Sequence, residues 1–254
     1  MKIDFAASFK DLFSTEKKWM TLLGLSVSML IPIVGPLVAI GYLMRRFARV
    51  RNGKSAEDFD FNNFGEYLQI GLWPFLSTLV ATVVLMPVIF ICFIPMFFGP
   101  VIAQDNQGLG IALMIVGFIL YMVSIFLLIL VTYPVMLRSG LMMDFKGGFS
   151  KSFVISFMRK AGLSLIGYLL LVSIIAVPLV LIGYLALLVG AIVVSAGLQF
   201  VMFHLIFQHY DLYLERGGEA IEVNPELIKD YGMPPLPNAK ASDAAPADQS
   251  GAIE

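Results

Sequence analysis

Four stretches of the chain contain no aspartate, glutamate, lysine or arginine: residues 19–44, 67–104, 106–137 and 161–210. Together they make up more than half of the 254 residues. Because about 20 apolar residues carry a helix across a bilayer, this pattern is that of a polytopic membrane protein and excludes a soluble monomer. Only 14% of the residues are charged, against roughly 25% in an average soluble domain.

Window length sets the number of crossings. The last window, at about 1.5 Å of rise per residue, would make a rod of roughly 75 Å and must fold back on itself. It reads as a hairpin of helices near 162–181 and 187–210, turning around Gly183. Residues 67–104 and 106–137 form a second hairpin, whose connection is read as the stretch from Pro95 to Gly110, with Gly99, Pro100, Asp105, Asn106 and Gly108 as its loop chemistry.

The first window admits two readings. Its middle runs Pro32-Ile33-Val34-Gly35-Pro36, and two prolines with a glycine between them interrupt a helix. The segment is either a kinked span or two half-helices that enter and leave by one face. Charge bears on the choice, since cytoplasmic loops collect lysine and arginine. Residues 1–18 hold Lys2, Lys10, Lys17 and Lys18; residues 45–66 hold Arg45, Arg46, Arg49, Arg51 and Lys54; residues 138–160 hold Arg138, Lys146, Lys151, Arg159 and Lys160. The two hairpin turns hold none. Re-entry places all of these on the cytoplasmic side, whereas a single span puts four lysines outside.

A short stretch with phenylalanines at helical spacing precedes each apolar block. Phe5, Phe9, Leu12 and Phe13 share one face, Phe61, Phe64 and Leu68 another, and Phe149, Phe153 and Phe157 a third. These read as helices lying in the headgroup layer or as ends of the spanning helices. With re-entry the chain becomes three units of one plan, and Gly-Tyr recurs at 41–42, 167–168 and 183–184, a dipeptide too short to establish duplication.

Trp19, Gly24, Pro32, Gly35, Gly41-Tyr42, Arg45, Arg49 and Gly53, followed by Asp58-Phe59-Asp60-Phe61, Gly71-Leu72 and the stretch from Met143-Asp144-Phe145 to Phe157, resemble a widespread prokaryotic membrane family defined only as a domain of unknown function. The resemblance covers roughly residues 15–215. It departs at Ala56-Glu57, where a Leu-Pro pair usually precedes the acidic patch. It implies membrane location and topology in a prokaryote, and no activity.

Chemistry-bearing groups are scarce. Cys92 is the single cysteine, so an internal disulfide is impossible. His204 and His209 lie about 140° apart around a helix and do not face one ligand together; both read as interfacial histidines. No GxSxG, CxxC, HExxH or phosphate-binding glycine loop occurs. Charges inside a membrane mark ion and proton pathways, and the apolar windows offer none. Their serines and threonines, with Gln199 and Gln208, read as helix–helix hydrogen-bonding groups.

The expectation is therefore an all-α integral membrane protein with four transmembrane helices in two hairpins. To these it adds a broken first hydrophobic segment, re-entrant or kinked at Pro32, Gly35 and Pro36, and interfacial amphipathic helices. Residues 1–18 form the interfacial segment, 19–210 the membrane domain, 211–232 a juxtamembrane segment with a short helix near Pro225–Tyr231, and 233–254 a disordered acidic tail. The location is the prokaryotic inner membrane, with the C-terminus cytoplasmic and, under re-entry, the N-terminus too. The role is non-catalytic and without cofactor or metal, binding membrane lipids, a membrane protein partner or a second copy of the chain, and no nucleic acid. Arg45, Arg46, Arg49 and Arg51 are the candidate contacts for anionic headgroups, or serve only to fix orientation. A small oligomeric pore or permease is the alternative.

Overall fold

The computed structural model describes residues 3–13, 17–186 and 189–229. No strand occurs among them, and four helices are long and apolar enough to cross a bilayer. The chain is a multi-pass helical membrane protein.

The first helix, α1 (Phe5–Leu12), is capped by Asp4, whose carboxylate accepts from the Ala7 amide at 2.9 Å. The first apolar window is two helices, α2 (Lys18–Met29) and α3 (Val34–Arg51), broken between them. Pro32 lies in the break, and Pro36 stands in the first turn of α3, where its missing amide proton costs no helical bond. At Gly35 a Cβ would come 2.0 Å from the Ser28 carbonyl oxygen, so only glycine lets the two helices fold back this closely. Ile33 closes the turn at φ 67°, a conformation costly for a β-branched residue. The helices are antiparallel: Gly35 at the start of α3 meets Ser28 near the end of α2, whereas Thr21, near the start of α2, hydrogen-bonds Asp58 and the Phe59 amide, and the Phe59 ring packs on Tyr42 farther along α3. The tip presents Leu30, Ile31 and Ile33, each exposed.

A 3₁₀ turn (Phe61–Asn63) leads into α4 (Phe64–Ile102), which pairs with α5 (Gln107–Met142) as the first long hairpin. The stretch expected as a loop is mostly helix: α4 runs through Pro95, Gly99 and Pro100, and the connection is only residues 103–106. The glycines are close-approach sites instead. A Cβ at Gly117 would lie 2.2 Å from the Met96 backbone nitrogen, and one at Gly110 would strike Ala103, the small-residue contact typical of helices in lipid. Asn106 caps α5 through the Leu109 amide.

After a turn of helix, α6 (Phe145–Gly148), come α7 (Lys151–Phe157), a single π-helical turn (Met158–Gly162) and α8 (Leu163–Leu185). The last long helix, α9, spans Val189–Glu215. The turn of this second hairpin therefore lies beyond Gly183, which remains helical and sits against Ala191, and α9 continues past residue 210. Residues 216–229, with α10 (Pro225–Ile228), fold back beneath the bundle: the Tyr210 and Tyr213 hydroxyls accept from the Ile221 and Glu219 amides, and the Asn224 amide donates to Leu141. The expected helix thus ends at Ile228. The Ser14/Thr15 cap with Glu16, residues 230–232 and the acidic tail with Pro234-Pro235-Leu236-Pro237 lie outside the described residues.

The core is concentrated at one end. Tyr42, Leu43, Met44, Leu137, Leu141, Phe157, Phe200 and Tyr210 are fully buried there. Toward the other end, α4 and α5 expose most of their apolar side chains, from Leu79 to Val101 and from Leu109 to Leu127. Three hairpins, α2–α3, α4–α5 and α8–α9, converge on this core, which we call the charged end because the Lys- and Arg-bearing segments surround it.

Candidate functional site

Arg45, Arg46 and Arg49 stand on α3 within about one helical turn of one another, together with Tyr42. All four side chains are inside the protein, with the arginines 2%, 1% and 1% exposed. What buries them is the segment after α3, which returns along the helix and delivers Glu57. The Glu57 carboxylate meets Arg45 Nε at 2.9 Å and Arg49 Nε at 3.7 Å and accepts from the Tyr67 hydroxyl at 2.8 Å. Its backbone carbonyl accepts from Arg46 Nη1 and from the Tyr42 hydroxyl, both at 2.9 Å.

Two outer carboxylates complete the cluster: Arg45 Nη1 pairs with Glu66 at 2.6 Å and Arg46 Nη2 with Asp11 at 3.4 Å. Arg49 Nη1 donates to the Lys229 carbonyl at 2.8 Å, and Arg46 lies 5.0 Å from the Phe200 ring. Three guanidiniums and three carboxylates thus join α1, α3, α4, α9 and the C-terminal return. Arg45, Arg46 and Arg49, the candidate headgroup contacts of the sequence, therefore stand buried among protein carboxylates. Arg51 alone of the four reaches the surface, where it pairs with Asp211 at 2.8 Å and covers the Tyr210 ring.

The amphipathic stretches turn toward protein in part, since Phe13, Phe61 and Phe149 are exposed. Phe5 and Phe9 pack with Val172, Val201 and Leu205, while Phe153 and Phe157 are fully buried against Tyr213. Gln208 is the receptor for α1: its side chain accepts from the Asp4 amide and donates to the Asp4 carbonyl and the Ser8 hydroxyl. His204 stacks on Phe47 and faces Asp11, while His209 is fully buried, bonded to the Leu205 carbonyl and edge-on to Tyr168. The histidines face different groups, and His209 is a core residue rather than an interfacial one.

Several serine hydroxyls in the apolar helices are satisfied within their own helix, whereas Thr21 reaches Asp58 and Phe59. Ser26, Ser28, Ser77, Ser173 and Ser195 each donate to the carbonyl one turn back on their own helix, where the sequence had them bridging helices. Among the described residues no group of three or more His, Cys, Asp or Glu is placed to hold a metal ion. At the surface of the charged end stand Lys10, Lys17, Arg51, Lys146, Lys151 and Arg159, all exposed.

A family model described as a protein of unknown function (DUF4013) matches residues 24–194, from within α2 to the first turn of α9, and takes in Arg45, Arg46, Arg49 and Glu57. No curated protein and no solved structure matches the chain.

Proposed function

As a member of the DUF4013 family, to which the match over residues 24–194 assigns it, this chain comes with no activity attached, and we propose that it acts without catalysis, binding membrane lipids or a membrane protein partner at its charged end. The observation that carries this reading is a rim of mixed exposed charge, in which Lys10, Lys17, Arg51, Lys146, Lys151 and Arg159 stand among carboxylates such as Asp4, Asp60, Asp144 and Glu215, around the base of an apolar body whose first long hairpin faces outward: only 6% of the most apolar window of α4 is buried. Such a body exchanges contacts with acyl chains or with another helix, and the cations of such a rim attract anionic headgroups.

The α2–α3 hairpin dips into the bilayer from the same side. Arg45 is level with Glu66 at the start of α4, and Val34 lies about 16 Å farther along α3, roughly half of the ~30 Å hydrocarbon core. Its exposed Leu30, Ile31 and Ile33 suit lipid, and the amides at the bend are paired within it, Leu30 to the Val27 carbonyl, Ile31 to Ser28, Val34 to Pro32 and Gly35 to Ile31, which spares the backbone an unmet donor at depth. That side is the cytoplasmic face of a prokaryotic inner membrane, as the density of lysine and arginine indicates.

The test is native mass spectrometry of the full chain after gentle extraction, paired with potassium and chloride flux in proteoliposomes. A stoichiometric lipid or second polypeptide without flux supports the reading. Flux well above empty vesicles, with neither adduct, would replace it by an oligomeric pore.

A further inference from the structure

We propose that the open groove beside α7 and the π-helical turn is a site for a phosphate-bearing anionic lipid headgroup; this rests on the binding reading above and specifies where and what the protein binds. Lys151, Ser152, Ile155, Ser156, Arg159 and Lys160 line a space of about 470 Å³, within the ~300–1,000 Å³ typical of small-molecule sites. Three cations and two hydroxyls face it and no carboxylate does, which is the donor set that phosphate oxygens select.

The groove is held from behind. Phe153 and Phe157 are fully buried and pack on Tyr213, so the residues between them are anchored to α9. The π-helical turn releases the Lys160 carbonyl from the ordinary ladder, and the Arg216 guanidinium donates to it. The Lys160 ammonium is tethered in turn to the Gly217 carbonyl, above the Tyr213 ring. Lys151 and Arg159 remain exposed.

A second observation points to a lipid rather than to a free anion. One turn past Arg159 begins an exposed apolar stripe on α8, formed by Leu163 (86% exposed), Leu170, Ile174, Val177 and Leu181. At Gly167, between them, the space is open. An acyl chain laid along this stripe would carry its headgroup to the groove, whereas inorganic phosphate would use the cations alone.

Full-length protein in detergent micelles, titrated with phosphatidylglycerol or phosphatidylcholine of matched chains and read by native mass spectrometry, tests this. Wild type is expected to prefer phosphatidylglycerol, and inorganic phosphate at equal concentration should not displace it. Lys151→Gln with Arg159→Gln should weaken that binding about five-fold for each cation and about twenty-five-fold for both, with melting temperature unchanged because both side chains are exposed. Lys151→Arg with Arg159→Lys should retain it. Phosphatidylglycerol binding unaltered in the double Gln variant would overturn the groove while leaving the protein a binder. Displacement by inorganic phosphate would overturn the lipid assignment. Wild type that retains neither lipid nor partner would bring down the underlying reading as well.

Discussion

Glu57 is where the charged end is tied together, because its carboxylate and its carbonyl between them engage Arg45, Arg46, Arg49, Tyr42 and Tyr67. Removing one partner of a buried pair leaves the other charge without compensation, at about 3–5 kcal/mol. Glu57→Gln should therefore destabilise the protein by that amount in a detergent unfolding series. Glu66→Gln, at a side chain 38% exposed, should cost under about 1 kcal/mol because solvent screens the exposed partner. Equal losses would show that Glu57 is not the hub. The arginines stood out in the sequence as a dense cationic cluster, but their burial did not. Charge count and closeness to an apolar window are the same for a headgroup contact and for a buried pair. What separates them is the path of residues 52–60, which are mostly non-helical and whose course only the tertiary fold defines. The common face of Tyr42, Arg45, Arg46 and Arg49 was the one available signal, since a tyrosine aligned with three arginines fits a polar core better than a solvated rim.

The long helices were readable from their charge-free windows, and their ends were not. Glycine and proline mark loops where water can take up the freed backbone groups, but in lipid the helix continues through them and the glycines become contact points, as at Gly99, Gly110 and Gly117. The same limit applies to α1, whose phenylalanine stripe specifies an apolar neighbour without saying whether that neighbour is lipid or protein. In the fold it is protein, latched by Gln208. Gln208→Leu keeps the volume roughly constant while removing these bonds, each worth about 0.5–1.5 kcal/mol. Hydrogen exchange of residues 5–12 should accelerate at least ten-fold relative to α9. Unchanged protection would show that the phenylalanine contacts alone hold the helix.

Across the whole molecule, charge is sorted by position: the long apolar helices carry none in their outer halves, while the charged end carries both an internally neutralised cluster and an exposed rim of lysines, arginines and carboxylates. Three hairpins meet there, but they are not copies in detail. Of the recurring Gly-Tyr pairs, Tyr42 is fully buried and Tyr184 is 57% exposed, while Gly41 meets α4, Gly167 faces open space and Gly183 meets α9. The dipeptide therefore marks no equivalent position. Under re-entry of the broken hairpin, the N-terminus and every basic segment lie on one side of the membrane. Single cysteines at Lys10, Asn52, Lys146 and Asp105, in a Cys92→Ser background, test it with an impermeant thiol reagent applied to right-side-out and inverted vesicles. Positions 10, 52 and 146 should label together from one side and position 105 from the other. Labelling of position 10 together with position 105 would contradict re-entry.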